Sequence, residues 1–352
     1  DLKKDDLWQS LMMTFKLFED EDIGDKLGVK PLGFGLFSPM AISHLRGLRL
    51  SNQVLIEVIS LFNYFENDRK QRVLVNYADL NVEEIGSVYE GLLSLEPVFS
   101  NSENNYISFT FKDGASRKES ASYYTHHDLV RELMKSTLIP LINKRVVEAG
   151  SIKEEQQKAI LDIKVCDPSV GSGHMLLEAA RVLAYHYVKI STDTEPTPRE
   201  YRKALRLVIQ NCIYGVDLNA EAVELCKLAL WLEGHNSGAP LSFLDHKIKH
   251  GNSLIGVHNP SLLDEGIPNI AYATNMNEHK AIASTLKKQN RSFFKSKQLT
   301  LSFTGVNSKY YESLKEDTIK LANINQKDLQ GVRAAEELYA KMKEVYSDAQ
   351  SV

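Results

Sequence analysis

The stretch IKVCDPSVGSGHMLLEAARVLAYHY, residues 163–187, decides the fold. Its apolar run Ile163 to Cys166 reads as a buried strand, and Met175 to Tyr187 reads as an apolar helix. Between them sit Asp167, Pro168, Gly171, Ser172, Gly173 and His174. A strand that ends in a carboxylate, turns through two glycines and enters a helix places free backbone N–H groups and one acid around a single polar ligand. In the dinucleotide fingerprint the glycines follow the strand directly and the acid closes the next strand. Here an acid closes both strands: Asp167 precedes the glycines, and Asp217 ends the second apolar run, Cys212 to Val216.

An acid at the first strand end is badly placed for an anionic pyrophosphate. It suits a ligand that carries an ammonium group next to a ribose, and S-adenosylmethionine is such a ligand. In that reading the Gly171–Gly173 turn lets the backbone approach the methionine part, Asp167 supports its binding, and Asp217 takes the two ribose hydroxyls. Taken alone, the two glycines fit an ordinary tight turn better; joined to both acids, they favour the cofactor. The alternation of strand and helix over residues 119–272 predicts an α/β, Rossmann-like core. Its parallel sheet is covered by helices on both faces, with the ligand outside the carboxyl strand ends.

The run DPSVGSGHMLLEA resembles motif I of the adenine-N6 DNA methyltransferases, DPACGSGxFL, with Ser169 and Val170 departing from it. Upstream, Ser122, Tyr123, Tyr124 and Thr125, followed by the amphipathic stretch His126 to Pro140, resemble motif X, the YYTP box, with His126 in place of the proline. Downstream, GVDLNAEAVELCKLALWL resembles the ribose-binding segment, and IKHGNSL, residues 248–254, resembles motif III. The resemblance implies that Tyr124 and Thr125 close over the methionine end, with Pro168 and Ser172 in the same site. It also implies that Leu218 packs against the adenine and that Asn252 meets its amino group. Four motifs in order over Ser122 to Leu254 make a specific signal. A softer likeness, YADLNVEEIGSVYE at Tyr77–Glu90, is to the segment ahead of motif X in large restriction-modification and phage-defence methylases. Asn81 as cap with Glu84 three residues on reads equally as a plain helix start.

Methylating a base amine needs a side-chain oxygen and a carbonyl to accept from the amine, and an aromatic to hold the flipped base. The family supplies these as Asn or Asp, Pro, Pro and an aromatic, yet no Pro-Pro pair occurs in the 352 residues. His258, Asn259, Pro260 and Ser261 come nearest and read as a turn. No catalytic residue is therefore assigned. The expectation is a donor-binding half of a DNA adenine-N6 methyltransferase of a restriction-modification or phage-defence system. Its catalytic strand and most of its contacts to double-stranded DNA would lie beyond Val352, and a start at Asp1 without methionine agrees with this. Two alternatives stay open: a methyltransferase of RNA, protein or a small molecule, and a non-catalytic module of a defence complex.

With 352 residues, 43% of them hydrophobic, the chain can bury two or three structural units. Residues 1–118 carry helical spacing at Leu7, Leu11, Met12, Phe15 and Phe18 and again at Val54, Ile56, Val58, Ile59 and Phe62, with a Gly/Pro/Phe patch at Pro31–Pro39 between them. This predicts a mainly helical domain. Asn101–Ser120 reads as a polar connector with a short alternating piece at Tyr106–Phe111. Residues 273–352 read as a helical insertion or extension, clearest at Tyr310–Leu321 and Gly331–Tyr346. Apolar runs too short for a bilayer and the absence of a charged leader predict a soluble, cytoplasmic chain without a membrane partner.

A net charge of −4 is not that of a protein that coats nucleic acid, although a basic cleft can sit on an acidic body. The basic run Lys287, Lys288, Arg291, Lys295 and Lys297, with Phe293 and Phe294, reads first as a solvated helix or loop. Cys166, Cys212 and Cys226 lack metal spacing and read as reduced core residues. The scattered histidines show no ligand pattern, so no metal is assigned. Acid–lysine pairs such as Glu132 with Lys135 or Glu224 with Lys227 arise by chance in a chain that is 25% charged, so no nuclease is assigned either.

Overall fold

The computed structural model describes residues 1–29, 32, 47–77, 84, 88, 95–101, 107–113, 126–192, 195–235, 239–254, 269–273, 279–300 and 306–351. Helices α1 (Asp6–Glu19), α2 (Glu21–Lys26) and α3 (Asn52–Asn63) come first. Asp20 and Ser51 cap the second and third by accepting from the N–H groups of Ile23 and Val54. Asn52 ties α3 to α1, since its Oδ1 accepts from Leu7 N–H at 3.1 Å and its Nδ2 donates to Asp6 Oδ1 at 2.8 Å.

Two antiparallel ladders follow, β1 (Tyr64–Glu66) with β2 (Arg72–Leu74), and β3 (Leu95–Asn101) with β4 (Ile107–Asp113). Of the second, β4 lies in the stretch Asn101–Ser120 read as a connector, whereas β3 precedes it in the part read as mainly helical. The alternation read at Tyr106–Phe111 falls on β4 from Ile107 onward, and Pro97 to Asn101 supply the partner of Ile107–Phe111. On α3, Leu55 is buried while Val54, Ile56, Val58, Ile59 and Phe62 are exposed. The apolar positions whose spacing marks the helix therefore stand mostly in solvent.

The helix after the motif X likeness starts as α4 (His127–Leu133), widens into one π-helical stretch at Met134–Leu138 and continues as α5 (Ile139–Glu148). Pro140 does not end it. It falls in the first turn of α5, immediately after the widened turn, where the missing N–H removes no regular helical bond. Helix α6 (Lys153–Leu161) then leads to the sheet.

Strand β5 (Val165–Asp167) is followed by α7 (His174–Ser191) and α8 (Pro198–Cys212), then β6 (Ile213–Asp217), α9 (Ala220–Glu233) and β7 (Ile248–His250). The three strands form a parallel sheet in the order β5-β6-β7, with Val165 opposite Ile213 and Gly215 opposite Ile248. The polar interval Ser191–Glu200, with Pro196 and Pro198, reads as a loop in the sequence, yet α8 starts at Pro198. Thr197 and Glu200 form a reciprocal capping box, and proline suits the first helical turn. Fully buried Ile142, Ile160, Leu176, Leu183, Leu205, Ile213 and Ile248 make one core between the helices and the sheet.

The chain groups into two compact units, Asp1–Ser253 with Asn325–Ala335, and Leu254–Ile324 with Glu336–Val352. From the sequence, domain borders are expected near residues 118 and 272. In the first unit, Arg206 Nη2 donates to the Gln326 carbonyl at 2.9 Å and Phe243 N–H donates to Gln326 Oε1 at 2.8 Å. These long-range bonds have no local signature. The remaining helices are α10 (Lys280–Thr300), which contains the basic run, α11 (Val306–Asn323) and α12 (Leu329–Ser351). No helix among the described residues is long and apolar enough to cross a membrane.

Candidate functional site

Parallel pairing sets Asp167 opposite Gly215, so Asp217 stands two residues further along the neighbouring strand. Between the two strand ends the glycine turn is pinned by main-chain bonds. Val170 N–H donates to the Val216 carbonyl at 3.0 Å, and Gly171 N–H donates to Asp217 Oδ2 at 2.8 Å. Gly171 has φ +51° and Gly173 φ +90°, conformations that disfavour side chains. A Cβ on Gly173 would also stand 2.8 Å from Cys226 Sγ.

The departure from the motif is accommodated by a neighbouring strand. Buried Val170 packs over Gly215, where a Cβ would meet its Cγ2 at 2.9 Å. In the sequence Val170 stands out only as a departure from the motif and Cys226 only as a core cysteine; their packing over Gly215 and against Gly173 was not read. Each is an ordinary apolar or small residue until the turn is folded onto β6 and α9.

Asp217 is 9% exposed. Its Oδ1 accepts from Asn219 N–H at 2.8 Å while Oδ2 holds Gly171. Each oxygen keeps a further lone pair, so two hydroxyls can still be accepted. Asp167 Oδ1 accepts from Ser169 N–H at 2.9 Å. Burial pushes the Asp167 carboxyl up from its ordinary value and the Asp217 charge adds to this, against the Ser169 hydrogen bond. Among the described residues no lysine or arginine pairs with either acid. Two neighbouring carboxylates, one already reluctant to ionise, favour a cationic ligand.

Leu218 follows at 62% exposure. Its flanks are fixed: Gly251 N–H donates to the Asp217 carbonyl at 2.8 Å, and His250 Nε2 lies 2.9 Å from the Leu218 carbonyl. Asn219 caps α9 by accepting from Glu221 and Ala222 N–H. Asn252 is exposed just past β7. The structure thus gathers Asp167, Pro168, Gly171, Ser172, Gly173, Asp217 and Leu218 at two adjacent strand ends, with Asn252 at the end of the third.

Tyr124 and Thr125 lie outside the described residues, as do the Asn259-Pro260 turn, most of the Tyr77–Glu90 phrase and most of the Pro31–Pro39 patch. His126 is described. It caps α4, with Nδ1 accepting from Asp128 N–H at 3.3 Å, and its φ of −58° is one a proline would adopt.

A cavity of about 350 Å³ runs beside β5, lined by Leu133, Leu138, Leu141, Cys166, Asp167 and Met175 among others. It reaches Asp167 but not Asp217. Cys166 is exposed there, which corrects its reading as a core residue; Cys212 and Cys226 are buried. Glu224 and Lys227 form an ion pair at 2.6 Å, with Lys227 also on Asp245 at 2.7 Å, a structural use of both. No cluster of three potential metal ligands occurs among the described residues.

Residues 211–337 match the family described as Eco57I restriction-modification methylase. The match takes in Asp217, Leu218 and Asn252, and begins after the glycine turn. A protein of Methanocaldococcus jannaschii named as a type II restriction enzyme and methyltransferase is 26% identical over 241 residues, 58% of this chain. Both findings are likenesses to restriction-modification methylases. The chain spans 19% of the length of that relative. No solved structure matches it.

Proposed function

We propose that the chain binds S-adenosylmethionine for transfer of its methyl group to the N6 amine of adenine in DNA, within a restriction-modification or phage-defence system. The observation that carries this reading is the bridge between Gly171 N–H and the Asp217 carboxylate, with Asp167 at the adjoining strand end. A cation is what this charge arrangement lacks. A backbone without side chains at Gly171 and Gly173 is what close approach of a ligand requires.

The bound donor would supply a methyl group already activated on a sulfonium, so the protein's task is alignment. Asp167 faces the ammonium end and gains a counter-charge. The free lone pairs of Asp217 accept the two ribose hydroxyls, while its other lone pairs hold the glycine turn and the start of α9 in register. Leu218 offers an exposed apolar wall to the adenine ring and Asn252 an amide to its amino edge; Tyr124 and Thr125 are assigned to the methionine end by the motif X likeness. Double-stranded DNA is the proposed partner, with restriction or defence subunits beside it, and the cytoplasm the proposed compartment. The 352 residues hold no Asn/Asp-Pro-Pro-aromatic segment, so the reading concerns donor binding and assigns no catalytic residue.

Calorimetric titration with S-adenosylmethionine tests it, run beside Asp217→Ala. Saturable one-site binding by the native chain, lost in the variant, is the expected result. Equal heats from both proteins, or none from the native chain, would overturn the reading.

A further inference from the structure

We propose that His250 is the positioning residue of the adenine side of this site: it fixes the Leu218 wall through the Leu218 carbonyl. The proposal rests on the donor-binding reading above and adds a residue that reading does not contain.

The geometry starts from register. Asp217 and His250 are opposite each other at the ends of β6 and β7, so what leaves β6 passes directly beside the end of β7. Two bonds cross there. Gly251 N–H donates to the Asp217 carbonyl, and His250 Nε2 stands 2.9 Å from the Leu218 carbonyl, the next one along. A carbonyl oxygen can only accept, so Nε2 carries the proton, and in a neutral ring Nδ1 does not.

The consequence concerns Leu218. Its amide neighbours are already committed: the Asp217 carboxylate takes Gly171 and Asn219 N–H, and Asn219 caps α9. The Leu218 peptide is the link between them, and its carbonyl orientation sets where the side chain points. The leucine is 62% exposed, so packing holds it little, and the imidazole bond fixes the carbonyl side of a peptide whose N–H is held by Asp217. A strand end thereby orients an exposed apolar side chain for a flat aromatic ligand, and fewer rotations remain to be frozen on binding.

The test compares His250→Phe, which keeps a ring and removes the donor, with His250→Gln, whose terminal amide reaches about as far as the imidazole Nε2 and restores it. S-adenosylhomocysteine is the probe, with thermal unfolding of each protein as the structural control. Expected are an affinity about fivefold weaker for His250→Phe, the scale of one net hydrogen bond, near-native affinity for His250→Gln, and unfolding temperatures that do not track affinity. A long-range nitrogen–proton spectrum of the native chain should show His250 protonated at Nε2.

Native affinity in His250→Phe, or a proton found on Nδ1 with Nε2 bare, would overturn the positioning role while leaving donor binding intact. A native chain that binds no probe would overturn the donor reading and this proposal with it.

Discussion

The two ends of the small parallel sheet carry opposite charge and put it to different use. At the amino end, Lys164 Nζ donates to the carbonyls of Leu161 and Asn211, and Lys247 Nζ donates to that of Gln210 and lies 4.5 Å from the centre of the Tyr214 ring. Those carbonyls belong to the last turns of α6 and α8, where a helix leaves acceptors without partners and its dipole favours cations. The lysines are consumed by the fold. At the carboxyl end, Asp167 and Asp217 also accept backbone N–H groups, but no described cation balances them. The comparison teaches that a charged cluster becomes a candidate site when the protein's own groups leave its charge unanswered.

The largest effect should come from closing the glycine turn. Gly173→Ala places a methyl against Cys226 Sγ at a φ that disfavours it, so it should cost about 2–4 kcal/mol in chemical denaturation and eliminate donor binding. Adding Cys226→Ala should restore part of that stability, because one of the two causes is then gone. Next, Asp217→Ala strands the N–H groups of Gly171 and Asn219. It should lower stability by about 1–3 kcal/mol and remove saturable binding in the same titration.

Asp167→Asn should act on the ligand more than on the fold. Affinity should fall by about tenfold, the scale of a hydrogen bond to a charged group, while unfolding at neutral pH stays level or improves. The sign with pH follows from burial. Because the folded carboxyl holds its proton above the unfolded value, native stability falls as pH rises from that unfolded value through the raised folded one. Donor affinity should climb through the same window, and the Asn variant should show neither trend.

The smallest effect on binding belongs to the other end of the sheet. Lys247→Met should leave donor affinity unchanged. Burial lowers the Lys247 pKa to about 8, so native stability should rise with pH between about 8 and the ordinary lysine value, a slope the variant lacks. A loss of donor binding in Lys247→Met would break the division between the two ends.

Much of this contrast was legible in the residues. The junction at Asp167–His174 could be read because an apolar run, two glycines and a helical period meet there, each a local signal. Asp217 closes its strand for the same reason. What Asp217 does to Gly171 could not be read, since that bond joins residues 46 apart and depends on strand order. Cys166 looked like core because its run is apolar, but a strand side chain is buried only where its face of the sheet is covered. The amphipathic stretch read from His126 to Pro140 continues to Glu148, and the π-helical turn inside it has no pattern in sequence. On α3 the apolar spacing gives the helix but not its environment, because period reports geometry and says nothing of what packs on it.

The central claim is that two strand-end carboxylates await a positive charge. Carbon-13 spectroscopy of the Asp167 carboxyl, followed through a pH titration with and without S-adenosylmethionine, tests it most directly. The midpoint should lie above the ordinary aspartate value in the free chain and move down when the donor is added. A midpoint that starts at the ordinary value, or that the donor leaves in place, would contradict it.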